Sequence, residues 1–339
     1  MHRPFIFQLL ILSVLASRCF ASEIDSVTPR RVALEDSRSQ INAIFEQRIK
    51  EGVEKANQQR ISIQVVGDLE LPVVGDYCDE DDLYRELRKA IFDSRSASWG
   101  LKGYDLDKQL RDLLRRQSYS LSLNDSIYRD IDYLEGFSLN LKELSDVVRI
   151  EGNLIGLDKL GHYFAEGFHY FEMTTLADKP VYDALAWGKE KESGLFGYTT
   201  TGIFSFADLV ANFNGMRFWN KVLHKRDDPL KGFIGNLFDG PYVTCDIQIL
   251  DSITAWKVVK AWEVNTTFDI ADYVDGSWDE GNNCNSYADP IIEDKVQTRI
   301  HNVDPDFVCP LDPEVCSNAR EKYGVFAKYL LHPACLTAE

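Results

Sequence analysis

Leu157-Asp158-Lys159-Leu160-Gly161-His162-Tyr163-Phe164-Ala165-Glu166-Gly167-Phe168-His169-Tyr170-Phe171-Glu172 is the stretch on which the reading of this chain turns. At about 100° per residue, an α-helix here gathers Asp158, His162, Glu166, His169 and Glu172 on one face. Leu160, Phe164, Phe168 and Phe171 fall on the other. An ordinary solvated helix is also two-faced. Solvated faces, however, mix Lys and Arg with acids, and after Lys159 no basic side chain other than histidine follows before Lys179. Gly161 and Ala165 lie beside the polar groups, where small residues would let a second helix come close. The pattern therefore predicts a polar cluster between helices. His162 and His169 stand about 10 Å apart along the axis, too far to share one ion without a break in the helix. Asp158 with His162, His162 with Glu166, and Glu166 with His169 remain as local pairs. The last has the Glu-x-x-His form of di-iron bundles, which need a second copy that this sequence lacks.

Two later segments offer partners. Gly188-Lys189-Glu190-Lys191-Glu192 closes the next helix, its acids alternating with lysines as solvated residues do. Asp208 and Asn212 are four residues apart on a third helix, with Gly215 on the same face. Phe204, Phe206, Leu209 and Val210 mark that helix as buried, where a lone Asp needs a partner. Asp208 also suits a cap-like place near Ser205. The candidate catalytic set is His162 as acid/base, Asp158 orienting it, and Glu190 and Asp208 holding a cation or substrate. Glu166, His169 and Asn212 are further candidate binding residues. Such a set suits proton transfer or a hard divalent cation, the one cofactor the pattern suggests.

Asp158-Lys159-x-x-His162, a Gly-x-Glu at 188–190, and Phe204-Ser-x-x-Asp208-x-x-Ala211-Asn212-x-x-Gly215 occur in that order. In this the chain resembles the YfiM-like envelope proteins and, more distantly, the VanZ-like membrane proteins, over residues 157–215. The resemblance implies an envelope protein with polar residues gathered between helices. It supplies no activity. The chain departs from both families in lacking a lipobox and extra spans, and in adding long cysteine-bearing flanks.

Outward from this core, helices are expected over Leu34–Gln59, Cys78–Phe92, Asp105–Gln117, Asp125–Phe137, Leu141–Ile150, Leu157–Leu176, Val181–Lys191 and Phe204–Leu223. Arg60–Val74 alternates like a short strand or hairpin. Beyond Gly240 the chain becomes loop-rich, with short helices at Ser252–Trp262 and Ser317–Leu331. The expected fold is mainly α: residues 23–239 form a helical core, and a disulfide-bearing region, 240–339, packs on it.

Residues 1–22 read as a signal peptide, with a basic start, an apolar run from Pro4 to Leu15, and a small polar end. The apolar run is too short to span a bilayer. Arg18 before Cys19 spoils a lipoprotein site. Thr199–Trp219, the best later candidate for a span, carries Asp208, Asn212, Asn214 and Arg217, which rules against one. Without the leader six cysteines remain: Cys78, Cys245, Cys284, Cys309, Cys316 and Cys335. An even number in an exported chain predicts disulfides, with Cys78 tied to the C-terminal region and Cys309–Cys316 able to close a short loop. A zinc cluster would need a CxxC that is absent. The net charge of −17 weighs against nucleic acid and anionic lipid as partners.

Zincin, nucleophile-elbow, phosphate-loop and Ser-x-x-Lys motifs are missing. The Asp- and Asn-rich stretch 269–289 fails the EF-hand spacing and reads as a solvated loop, an irregular calcium site being the alternative. Trp256, Trp262, Trp278, Tyr273 and Tyr287 would pack the C-terminal region or line a groove. Two functions follow as expectations. One is a periplasmic or secreted envelope protein with a structural or partner-binding polar cluster. The other is a metal-assisted, hydrolase-like enzyme using Asp158, His162, Glu190 and Asp208.

Overall fold

The computed structural model describes residues 23–58, 75–76, 78–92, 102–194, 197–252 and 255–338. The signal peptide expected over residues 1–22 and the strand or hairpin expected at Arg60–Val74 lie outside these. The fold is mainly helical. Helices α1 (Arg38–Gln58), α2 (Glu80–Ile91) and α3 (Lys102–Leu113) come first. Asp79 caps α2 by accepting from the Asp82 amide, and the acidic run Glu80-Asp81-Asp82 sits at the positive end of the helix dipole.

Between α3 and the central helix the chain departs from expectation. Asp125–Phe137 is turns and a short 3₁₀ segment, and the helix expected over Leu141–Ile150 is replaced by strand β1 (Val147–Ile150). It pairs antiparallel with β2 (Asn153–Gly156) through a two-residue turn. Glu151 and Gly152 there have φ of +49° and +82°, the positive pair that a tight hairpin demands. Residues 147–150, Val-Val-Arg-Ile, are β-branched at three of four positions, which favours a strand over a helix.

The central helix α4 covers residues 157–176 and contains two wide π turns, His162–Glu166 and Glu172–Leu176. It packs against α5 (Val181–Ser193) and α6 (Phe206–Leu223). Close approach falls at Gly167 and Gly215. A methyl group on Gly167 would stand 2.5 Å from the Gly215 Cα, and one on Gly215 would collide with the Tyr163 carbonyl. The Trp219 indole donates to the Phe164 carbonyl (3.0 Å) inside the first π turn. Around this contact Phe45, Phe164, Phe168, Phe218, Trp219 and Phe268 form one aromatic core, with Phe45 and Phe164 centroids 4.2 Å apart. Each such fully buried ring contributes on the order of 2–3 kcal/mol.

The C-terminal region enters the same core through Tyr242, Trp262, Tyr273, Trp278, Tyr323 and others. The helix expected at Ser252–Trp262 is instead part of a hairpin of two ten-residue strands, β3 (Val243–Ser252) and β4 (Ala255–Val264). Trp256, Val258, Val259, Trp262 and Val264 give β4 the residue types a pleated surface favours. Helix α7 (Pro290–Val303) was not expected, although Asp289 caps it, Pro290 starts it, and Ile292, Val296 and Ile300 repeat every four residues along its buried side. Helix α8 (Pro313–Tyr323) begins before the expected Ser317 and is followed by short turns to Leu330.

Three disulfides use all six cysteines: Cys78–Cys245, Cys284–Cys309 and Cys316–Cys335. Cys78 is tied to the C-terminal region as expected, while Cys309 and Cys316 each find another partner. The segment expected to be a solvated loop is buried throughout Ser277–Cys284. Its acids are consumed internally: Asp275 accepts from Tyr323 and Lys322 (both 2.6 Å), and Asp279 takes the Arg30 guanidinium in a fork. No helix among the described residues is long and apolar enough to cross a membrane.

Candidate functional site

The segment where α4 begins, the N-terminus of α6 and the buried loop before Cys284 meet on one ammonium group. Lys159 is fully buried, and its Nζ lies 2.9 Å from Asp158, 2.6 Å from Asp208 and 2.7 Å from Glu280. Such a charge is tolerated inside a protein only when surrounded in this way. Ser205 fixes the entry of α6: its hydroxyl accepts from the Asp208 amide (3.3 Å) and donates to Glu280 Oε1 (3.0 Å). Asp208 is therefore the third residue of a Ser-x-x-Asp start, yet its carboxylate turns inward to Lys159 and His162 rather than back to the helix end.

His162, the first residue of the first π turn, places Nε2 3.2 Å from Asp208 Oδ2. Wide turns of this kind recur at functional sites because they re-aim a side chain without ending the helix. Its Nδ1 is 3.2 Å from Asn212 Oδ1 and 3.8 Å from Glu166 Oε2. Burial disfavours the imidazolium, but Asp208, with Glu166 and Glu192, more than offsets this and holds the His162 pKa well above its usual value. A cationic ring donates from both nitrogens, to Asp208 and to Asn212. Turned over, the Asn212 amide nitrogen reaches the His162 and Asp208 carbonyls (3.3 and 3.2 Å).

Asp158, His162, Asp208, Asn212 and Glu166 are brought together as the sequence suggested. Glu190 and His169 are not. Glu190 is exposed on α5, and the buried acid is Glu192, one half-turn further on. Glu192 shares the inward face with Leu185 and Gly188, at helical spacings of seven and four, whereas Glu190 points away with the flanking lysines. A side chain at Gly188 would collide with the Tyr170 hydroxyl, so this face of α5 sits directly against α4. His169 is displaced to a partly exposed position, its ring tilted against Trp187 with centroids 4.3 Å apart and its Nδ1 3.3 Å from Glu172. Three members went unassigned in the sequence: Lys159, present in the motif but given no role, and Glu280 and Glu23, for which no local signal exists.

The cluster is over-supplied with acid. Among the described residues, Glu23, Asp158, Glu166, Glu192, Asp208 and Glu280 gather around two cationic groups, Lys159 and His162. Burial pushes Glu23 and Glu192 well up, with Asp208 adding to both, and raises Glu166 too. Burial also lifts Asp158 to about 7 against the pull of Lys159. Asp208 alone goes the other way, since His162 and Lys159 outweigh its desolvation. One oxygen of Glu192, Oε1, makes no hydrogen bond among the described residues. His162, Glu192 and Asp208 each turn a ligand atom to within 4.8 Å of the others. These donors, one imidazole nitrogen and two carboxylate oxygens, fit a divalent ion such as Zn²⁺ or Mn²⁺. Asn212 and Glu166 on the other ring nitrogen would hold the imidazole in place.

Comparison of the chain with known families and curated proteins, and of its fold with solved structures, finds no significant match.

Proposed function

We propose that this is an exported, noncatalytic protein whose interior cluster holds a divalent cation between His162, Glu192 and Asp208. The observation that carries this is the buried Glu192 Oε1, which makes no hydrogen bond among the described residues, on a carboxyl gathered with His162 and Asp208. Leaving it empty-handed costs about 1–3 kcal/mol, which a cation would recover. His162, Glu192 and Asp208 are each 4% exposed or less. That burial favours a role in fixing α4, α5 and α6 over a reaction on an incoming substrate. Export is supported by the three disulfides, which persist in oxidising compartments, and by the reading of residues 1–22. The likeness to YfiM-like proteins, including its Asp158, His162 and Asp208 motif residues, favours a bacterial periplasm as the address.

The test is elemental analysis of purified protein, followed by titration of the metal-stripped protein with Zn²⁺, Mn²⁺ and Ca²⁺. Near-stoichiometric binding of one of these, weakened at least about tenfold in Glu192→Gln, is expected. A wild-type protein that carries no metal and whose melting temperature responds to none of the three ions would overturn the proposal.

A further inference from the structure

Glu280 has a second side. Its Oε1 serves Lys159, but its Oε2 takes the Asn285 amide at 2.7 Å. There Glu280 borders an open cavity of about 410 Å³ between α7 and the Cys284–Cys309 disulfide. That volume falls in the range of small-molecule sites, roughly 300–1,000 Å³. The wall is one-sided in its chemistry. Glu280 and Glu293 supply carboxylates, Tyr287 and Phe307 supply aromatic rings, and the lining contains neither Lys nor Arg. Having given its amide nitrogen to Glu280, Asn285 is left with a buried carbonyl oxygen that accepts no hydrogen bond among the described residues.

The neighbouring cations are all engaged elsewhere. Arg30, 6.0 Å from the Phe307 ring, is forked onto Asp279. On α7 itself, Lys295 is held by Glu135 at 2.6 Å and Arg299 by Asp130. His332, also in the wall, has its pKa lowered by burial, and its Nδ1 accepts from the Ala334 amide, so it adds no charge at neutral pH. Burial and the surrounding carboxylates, Glu280 first among them, push the Tyr128 and Tyr287 hydroxyls upward, as a negative field does.

Unsatisfied acceptors, carboxylates and aromatic faces, without a competing cation, are what a protonated amine or guanidine on a short aliphatic chain requires. We infer that the cavity between α7 and the Cys284–Cys309 disulfide is a binding site for a small alkylammonium or alkylguanidinium ligand. Glu293 accepts from the cationic head, and the Tyr287 ring packs against it. The site is separate from the interior cation site, sharing only the Glu280 carboxylate with its network.

Calorimetric titration of the full protein with n-butylamine, agmatine and uncharged 1-butanol tests this. At least one cationic probe is expected to bind with a Kd below about 1 mM and at least about tenfold more tightly than butanol. Gln297→Trp, on the exposed side of α7, fills the cavity and is expected to abolish binding, while Glu293→Gln weakens it by a few-fold. Agmatine against N-acetyl-argininamide separates a free amine from an arginine side chain of a peptide. Tighter agmatine supports the inference, and the reverse order overturns it. Butanol binding as well as the amines, or Gln297→Trp melting normally and binding agmatine as the wild type does, also overturns it. Glu192→Gln retains amine binding if the two sites are independent, so failure of the interior cation site leaves this result readable.

Discussion

The interior cluster around Lys159 and the cavity beside α7 are joined through one carboxylate, Glu280, and are built on opposite principles. Inside, the groups are largely buried and, Glu192 Oε1 apart, nearly every polar atom has a partner. In the cavity the Glu293 carboxylate is exposed, and the Asn285 carbonyl oxygen accepts no hydrogen bond among the described residues. A closed network is held by mutual dependence, so a change to one member is felt as stability. An open one is held by the scaffold around it, and a change there is felt as binding. The difference teaches where a structural role and a recognition role are to be sought.

That contrast is broken most directly at its centre. Lys159→Met removes the ammonium shared by Asp158, Asp208 and Glu280 and leaves three carboxyls to be buried without it. A loss of about 3–5 kcal/mol in chemical denaturation is expected. A loss under 1 kcal/mol would mean that the cluster is wet or loosely held.

Next comes the far end of the same network. Asp107 accepts from Ser145 (2.6 Å), whose hydroxyl in turn accepts from the Asp158 amide (3.0 Å). Burial lifts Asp107 to about 6, above its unfolded value of about 3.9, so the native state binds this proton more tightly. Its contribution is full below about pH 4 and is lost as pH rises through 6, a change of roughly 3 kcal/mol. Stability measured from pH 4 to 7.5 should show this fall in the wild type relative to Asp107→Asn, which cannot titrate. Parallel curves would place Asp107 in contact with solvent.

Smaller effects sharpen the pair on α5. Glu192→Gln keeps the shape of the side chain and removes its carboxylate, so it should change metal-free stability by under about 1 kcal/mol while weakening cation binding. Glu190→Gln, on the exposed side of the helix, should leave both unchanged within about 0.5 kcal/mol. Equal effects of the two substitutions on metal affinity would erase the distinction drawn between them. Smallest of all, Glu293→Gln at the cavity rim should leave the melting temperature alone and register only in amine titrations.

Much of this architecture is legible in the residues. The helices at 38–58, 80–91, 157–176, 181–193 and 206–223 announce themselves by apolar spacing and caps, and the greasy face of Phe164, Phe168 and Phe171 is the one that is buried. His162, Asp158, Asp208 and Asn212 were recognised as a group. Where the reading failed, two kinds of cause operated. Residues 147–150 of the helix expected over Leu141–Ile150, and 255–262 of the one expected over Ser252–Trp262, carry β-branched and aromatic content that favours strands, and the repeat of Ile292, Val296 and Ile300 marks a helix where loop was expected. Those signals were present. The choice of Glu190 over Glu192 also had a local remedy, because only Glu192 continues the Leu185 and Gly188 face.

The remaining features had no local signal. The six cysteines beyond residue 22 are a property of the sequence, as are the polar face of 157–172 and the acid excess of the chain. Periodicity of this kind is written within a few residues and needs no knowledge of the chain path. Which cysteine meets which, and that Glu280 crosses more than a hundred residues to complete the Lys159 cluster, depend on how distant segments pack. So does the fate of the Asp- and Asn-rich loop, which composition assigns to water and which the fold buries because Arg30, Lys322 and Tyr323 arrive to receive its acids. The same loop, anchored by Cys284, is what gives Glu280 its two faces, one toward the interior cluster and one toward the cavity.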